Sequence, residues 1–220
     1  MKNGVILAAV LWFVMFSPWT APHVNFWLMM TLSAICLTTY AFYAGGCPLS
    51  ATCPSAPSPQ AGQQSQPRGT GVSLWQQVLL GIALAIVLWG VFWVGDKVSQ
   101  WMFGFARPQV DAIYTIKAGT SPTLIAALLL LIIGPAEELF WRGYVQRQMM
   151  ARWGANTGFL VATLCYTLIH IWSLNFMLVM AALACGVIWG GLYRLRPDWL
   201  PALILSHALW DAAAFVVFPF

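Results

Sequence analysis

The stretch Leu124-Ile125-Ala126-Ala127-Leu128-Leu129-Leu130-Leu131-Ile132-Ile133-Gly134-Pro135-Ala136-Glu137-Glu138-Leu139-Phe140-Trp141-Arg142 decides how this chain is read. An apolar run leads straight into two adjacent carboxylates, and an arginine follows one turn later. The 220 residues hold only ten Lys and Arg and six Asp and Glu, so three ionisable side chains inside one apolar segment are not background. Ionisable groups at membrane depth are costly and mark function. Glu138 and Arg142 stand i, i+4 with the acid nearer the amino terminus, the favourable order for a helical ion pair. Glu137 lies about 100° further round the helix, outside that pair. It needs another partner or a chemical task. Pro135, just before the carboxylates, removes a backbone hydrogen bond and predicts a bend that frees a carbonyl near Leu131 and opens a pocket beside Glu137.

The rest of the chain matches this segment. Apolar residues make up 60%, charged residues 7%, and there are 13 tryptophans, with a mean hydropathy of +0.77. Such values lie outside the soluble globular range and predict an all-α polytopic membrane protein. The net charge of +4 contains no basic run, so it reads as a topology signal and excludes nucleic acid as a partner. Among five cysteines, Cys36, Cys165 and Cys185 fall in apolar segments and read as small hydrophobes, whereas Cys47 and Cys53 share a loop and could pair in an oxidising compartment.

About seven membrane helices are expected: 4–16, retained rather than cleaved as a signal peptide; 26–43; 74–94, closed by Gly95-Asp96-Lys97; 123 to about 150; 155–172; 176–193; and 200–217. Residues 98–105 suit an interfacial segment, followed by a loop from Arg107 to Pro122. Residues 47–73, rich in Pro, Ser, Gln and Gly, predict a flexible linker between two amino-terminal helices (1–46) and a five-helix core (74–220). With the amino terminus inside, Lys2, Arg68, Arg147, Arg152, Arg194 and Arg196 face inward against Lys97, Arg107 and Lys117 outside, which favours that orientation. Arg147, Arg152, Arg194 and Arg196 read as topogenic.

Two later helices carry more ionisable groups. His170 follows Tyr166 by one turn, and His207 precedes Asp211 by one turn on a shared face. An antiparallel hairpin turning near Trp153-Gly154 brings Glu137 and His170 to similar depth. His207 stands about ten residues beyond the Arg196-Pro197 turn, which is shallow for a common site. Singly, each group has a plain structural reading: a helix-bridging histidine, a buried Glu138–Arg142 pair, tryptophans as interface anchors. Together they predict a site.

A glutamate, two histidines and an acid suit hydrolysis in two ways. Glu137 and His170 can draw a proton from water while His207 steadies the oxyanion. Alternatively Glu137, His170 and His207 can bind Zn²⁺ with an open position for water. No cofactor follows from the residues alone, and neither a His-Glu-x-x-His nor a Gly-x-Ser-x-Gly motif is present.

Glu137-Glu138-x-x-x-Arg142, Tyr166-x-x-x-His170 and His207-x-x-x-Asp211, in that order over residues 123–217, resemble the CAAX-protease and bacteriocin-processing (Abi) family of intramembrane endopeptidases. The resemblance implies a four-helix catalytic core in which Glu137 and His170 activate water, His207 and Asp211 support the oxyanion or the histidine, and Glu138 and Arg142 shape the site. Tyr166 stands where that family usually has Phe, and Asp211 where Asn is also common. The family has been described both as metal-dependent and as glutamic-type, so Zn²⁺ stays open. It further implies a membrane-associated, lipidated or sorting-signal peptide as substrate, and a prokaryotic inner-membrane location, to which the Lys and Arg balance adds the amino terminus inside. The rival readings are a proton-coupled transporter, for which no symmetric halves are visible, and a non-catalytic membrane scaffold.

Overall fold

The computed structural model describes residues 1–46, 49 and 72–220. Cys47, Cys53 and most of the expected linker lie outside the described residues. The chain folds into helices α1 (Lys2–Phe16), α2 (Phe26–Gly45), α3 (Leu74–Met102) and α4 (Ala106–Tyr114). The carboxy-terminal half adds α5 (Pro122–Trp153), α6 (Ala155–Ser173), α7 (Phe176–Leu195) and α8 (Pro197–Val217). No strand occurs among the described residues. Six of these helices are long and apolar enough to cross a membrane, and α1, with 15 residues, is shorter. The protein is an all-α integral membrane protein.

Helix α5 is the axis of the bundle. Its 32 residues extend about 48 Å at 1.5 Å per residue, against a hydrocarbon core of about 30 Å. Pro135 has no N–H to offer Leu131, and the helix widens just before it: Leu129–Ile133 form a π turn closed by the Gly134 N–H on the Leu129 carbonyl. A second π turn covers Trp141–Gln146. The expected bend is therefore an unwinding of two turns on either side of the glutamates. Gly134 matters for a further reason, since a Cβ there would lie 2.8 Å from Ala208 Cα. The bare glycine lets α8 close on α5 beside His207. This contact, with the extra length of α5 beyond the bilayer, removes the depth mismatch that counting from the turns suggests for His207.

The remaining helices are pinned to this axis by buried polar contacts. Gln146 Nε2 donates to the Gly190 carbonyl of α7 (2.7 Å), and Gln77 of α3 donates to Asp198 O (2.7 Å) while accepting from the Ala202 N–H (3.2 Å). The α5–α6 turn passes through Gly154 at φ +82°, a left-handed conformation that glycine adopts without strain. Arg147 is buried and donates to the Gly45 carbonyl at the end of α2 (2.9 Å). It also joins two helices, a contact that its position in the sequence does not reveal.

Two expectations around residues 95–122 are also corrected. Gly95-Asp96-Lys97 does not close the third helix, which continues to Met102; one glycine costs a helix only about 1 kcal/mol, too little to stop it against tertiary packing. The segment from Arg107 onward is largely the helix α4 rather than a loop. It is held by Asn175 Nδ2 on the Gln109 carbonyl (2.8 Å), by the Met177 N–H on Gln109 Oε1 (3.0 Å), and by Tyr114 Oη on the Ala214 carbonyl (2.9 Å).

Candidate active site

All eight helices contribute to one cavity of about 560 Å³, within the usual size range for ligand sites. Its wall is mostly aromatic and aliphatic, but Glu137, Tyr166, His170, His207 and Asp211 all line it. Five of the seven sequence-predicted residues thus meet at one space, although they come from three helices. Glu138 and Arg142 do not face it; they lie behind the wall.

The two adjacent glutamates have opposite surroundings. Glu138 is fully buried, and its Oε1 accepts from Arg142 Nη1 (2.8 Å) and lies 2.8 Å from His207 Nδ1. An ionised carboxylate can only accept, so Nδ1 carries a proton. Arg142 also donates to the Cys185 carbonyl (3.2 Å) and its guanidinium sits over the rings of Tyr166 (4.8 Å) and Trp189 (5.6 Å). Trp189 stacks on His207 at 3.9 Å between centroids and donates to Ser206 Oγ. These contacts tie α5, α7 and α8 into a single knot. His207 Nε2 emerges on the other side, 3.5 Å from Asp211 Oδ2.

Among the described residues Glu137 makes one hydrogen bond, from the Tyr166 hydroxyl to its Oε2 at 3.3 Å. It lies a step round the helix from the knot, at the cavity wall, as the 100° separation requires. His170 is buried one turn beyond Tyr166. Its Nδ1 lies 2.8 Å from the Tyr166 carbonyl, and its Nε2 lies 3.1 Å from Trp12 Nε1. A carbonyl only accepts and an indole N–H only donates, so His170 is the neutral tautomer with its proton on Nδ1 and its lone pair committed to Trp12. Trp12 and Phe16 of α1 pack against the ring at 5.9 Å.

The Zn²⁺ arrangement does not fit these residues. No group of three or more His, Cys, Asp or Glu that could hold a metal occurs among the described residues, and the basic nitrogen of His170 already accepts from Trp12.

Sequence reasoning missed three residues at this site. Trp12 is 158 positions from His170, and nothing marks it among 13 tryptophans except that a buried indole N–H needs an acceptor. Trp189 is likewise hidden among them. Asp96 was read as a helix terminator, yet it is buried and lines the cavity; an acid among six in so apolar a chain was a signal that could have found it.

Residues 119–213, from just before α5 into the last turns of α8, match the family described as type II CAAX prenyl endopeptidase, Rce1-like. Neither a curated protein nor a solved structure gives a significant match.

Proposed function

We propose, from the match of residues 119–213 to the Rce1-like family of CAAX endopeptidases, that the chain cuts a peptide bond in a membrane-associated segment with water activated by Glu137 and His170. The family-level activity is that of an intramembrane protease. The finer assignment rests on one observation: a carboxylate that the surrounding knot leaves almost unpartnered stands on the wall of an apolar cavity also lined by His170, His207 and Asp211.

In this reading Glu137 takes a proton from water as the water oxygen attacks the scissile carbonyl carbon, then returns it to the leaving nitrogen. In this reading His207, held between Glu138 and Asp211, is protonated on both ring nitrogens and turns its Nε2–H toward the oxygen where negative charge develops. His170 shares the water through Nε2 once the Trp12 N–H releases it. Glu138 and Arg142 act by holding His207 and α7 in place. The apolar wall suits an apolar substrate segment and strengthens each polar interaction inside it. The same reading places the chain in a prokaryotic inner membrane with its amino terminus inside, on the balance of Lys and Arg between loops.

The test is to reconstitute the protein in liposomes with membrane-proteome peptides and to identify new termini by mass spectrometry. Wild type should generate them, while Glu137→Gln and His170→Ala should not, with unchanged melting in detergent. Undiminished cleavage by either variant removes the assignment.

A further inference from the structure

Asp96 stands on α3, outside residues 119–213, and takes no part in the chemistry described above. Its side chain is 4% exposed. Oδ2 accepts from Gln100 Nε2 (2.6 Å) and Lys97 Nζ (3.0 Å), whereas Oδ1 is buried and meets no donor among the described residues. A buried carboxylate oxygen without a donor is costly and rare in folded proteins. Lys97 does not fill the gap, because it reaches Oδ2 from the outer surface with 52% of its side chain exposed.

The cavity supplies the context. Three carboxylates line it, from Asp96, Glu137 and Asp211, and no lysine or arginine does. Like charges around a low-dielectric space add to one potential, so the cavity favours positive charge over a neutral donor. Ser99 and Tyr114 aside, the lining that α3, α4 and α7 contribute around Asp96 is apolar, including Phe92, Met102, Phe176 and Met180. The position of Asp96 along the helix adds a second constraint. Helix α3 has 29 residues, about 43 Å against a core of about 30 Å, so its last turns reach the interface. That is the depth to which a lysine or arginine at the end of a membrane segment extends its charge.

We propose that Asp96 forms a cationic subsite, where an apolar peptide segment entering the cavity places a lysine or arginine side chain whose N–H donates to Asp96 Oδ1. This rests on the reading of the cavity as a peptide site. It makes Asp96 a specificity residue: the acid fixes the register of the segment relative to Glu137 and takes no part in bond breaking.

The test uses full-length Glu137→Gln protein in detergent micelles, which separates binding from cleavage. The probes are fluorescent Leu/Ala-rich 20-residue peptides with one lysine moved through the last seven positions, and the same peptides with glutamine or glutamate there. Anisotropy should show the best lysine peptide binding at least tenfold tighter than its glutamine analogue, with glutamate weakest. Adding Asp96→Asn, which can still accept from Gln100 and Lys97, should cut the lysine preference below threefold. Equal binding of lysine and glutamine peptides overturns the subsite, and so does a preference that survives Asp96→Asn. If Asp96→Asn does not fold, Asp96→Glu should keep the preference, and its loss there overturns the proposal. A chain that cuts peptides without lysine preference refutes the subsite alone. A lysine preference that depends on Asp96 in a chain that cuts nothing refutes the proteolytic reading alone.

Discussion

The knot behind the cavity and the cavity wall in front of it are one residue apart in sequence and opposite in character. Glu138 Oε1 is held by partners from α5 and α8, and its arginine is sandwiched by Tyr166 and Trp189. Glu137 has one long hydrogen bond and a cavity. The difference teaches how two identical side chains divide their work: a 100° step round a helix separates a group whose charge is spent on structure from one whose charge is free to act. Substitution breaks the comparison most directly. Glu137→Gln should lower the cleavage rate by at least about 10³-fold, the upper range for a lost general base, while its melting temperature stays that of wild type. Arg142→Ala should instead cost about 3–5 kcal/mol of stability by stranding Glu138 as a buried charge, seen as a lower melting temperature and poor yield in detergent. If Glu137→Gln melts like Arg142→Ala, the two glutamates do not differ in the way described.

The wall has its own internal contrast, between Glu137, open to the cavity, and His170, whose basic nitrogen is held by a helix outside the family-matched segment. Trp12→Phe keeps the ring and removes the N–H. A neutral hydrogen bond is worth about 0.5–1.5 kcal/mol net, so releasing Nε2 to water should raise cleavage about two- to tenfold. In ¹⁵N spectra the His170 Nε2 resonance should move, while Nδ1, still bonded to the Tyr166 carbonyl, should stay. An unchanged Nε2 resonance would mean that Trp12 merely fills space.

How far the sequence carries this description depends on the range of the contacts involved. The apolar runs locate α2, α5, α6, α7 and α8 because each span needs its own apolar length, and i, i+4 spacing places Glu138 with Arg142 and His207 with Asp211 on shared faces. The unwinding at Pro135 follows from one missing donor. The link from Glu138 to His207 was not legible, since it depends on Gly134 admitting α8 at a distance that spacing cannot reveal. Nor was Trp12, whose partner lies in another part of the chain, or α4, whose polar sequence reads as a loop until Gln109 and Asn175 are seen to bind each other's segments. Tyr166 sharpens the point at smaller scale. Its hydroxyl reaches Glu137 only at 3.3 Å, near the long limit for such a bond, so Tyr166→Phe should change the cleavage rate less than about threefold. A larger loss would make the hydroxyl part of the proton path.

The smallest expected effect comes from a second arginine–carboxylate pair at the same spacing. Arg107 and Asp111 of α4 also stand i, i+4, but their side chains are 41% and 57% exposed, against 2% and 0% for Arg142 and Glu138. The hydrogen bond from Arg107 lowers the Asp111 pKa, so the carboxylate stays charged in the folded state to lower pH than in the unfolded chain. Its contribution is then present above the unfolded value, near pH 4, and fades as pH falls through the folded one. Water and salt screen an exposed pair, so Asp111→Asn should leave the melting temperature at pH 7 unchanged within error. The same substitution class at the buried pair, Glu138→Gln, should lower it measurably. Equal shifts at the two sites would show that burial does not set the strength of these pairs, and the division between knot and wall would lose its physical basis.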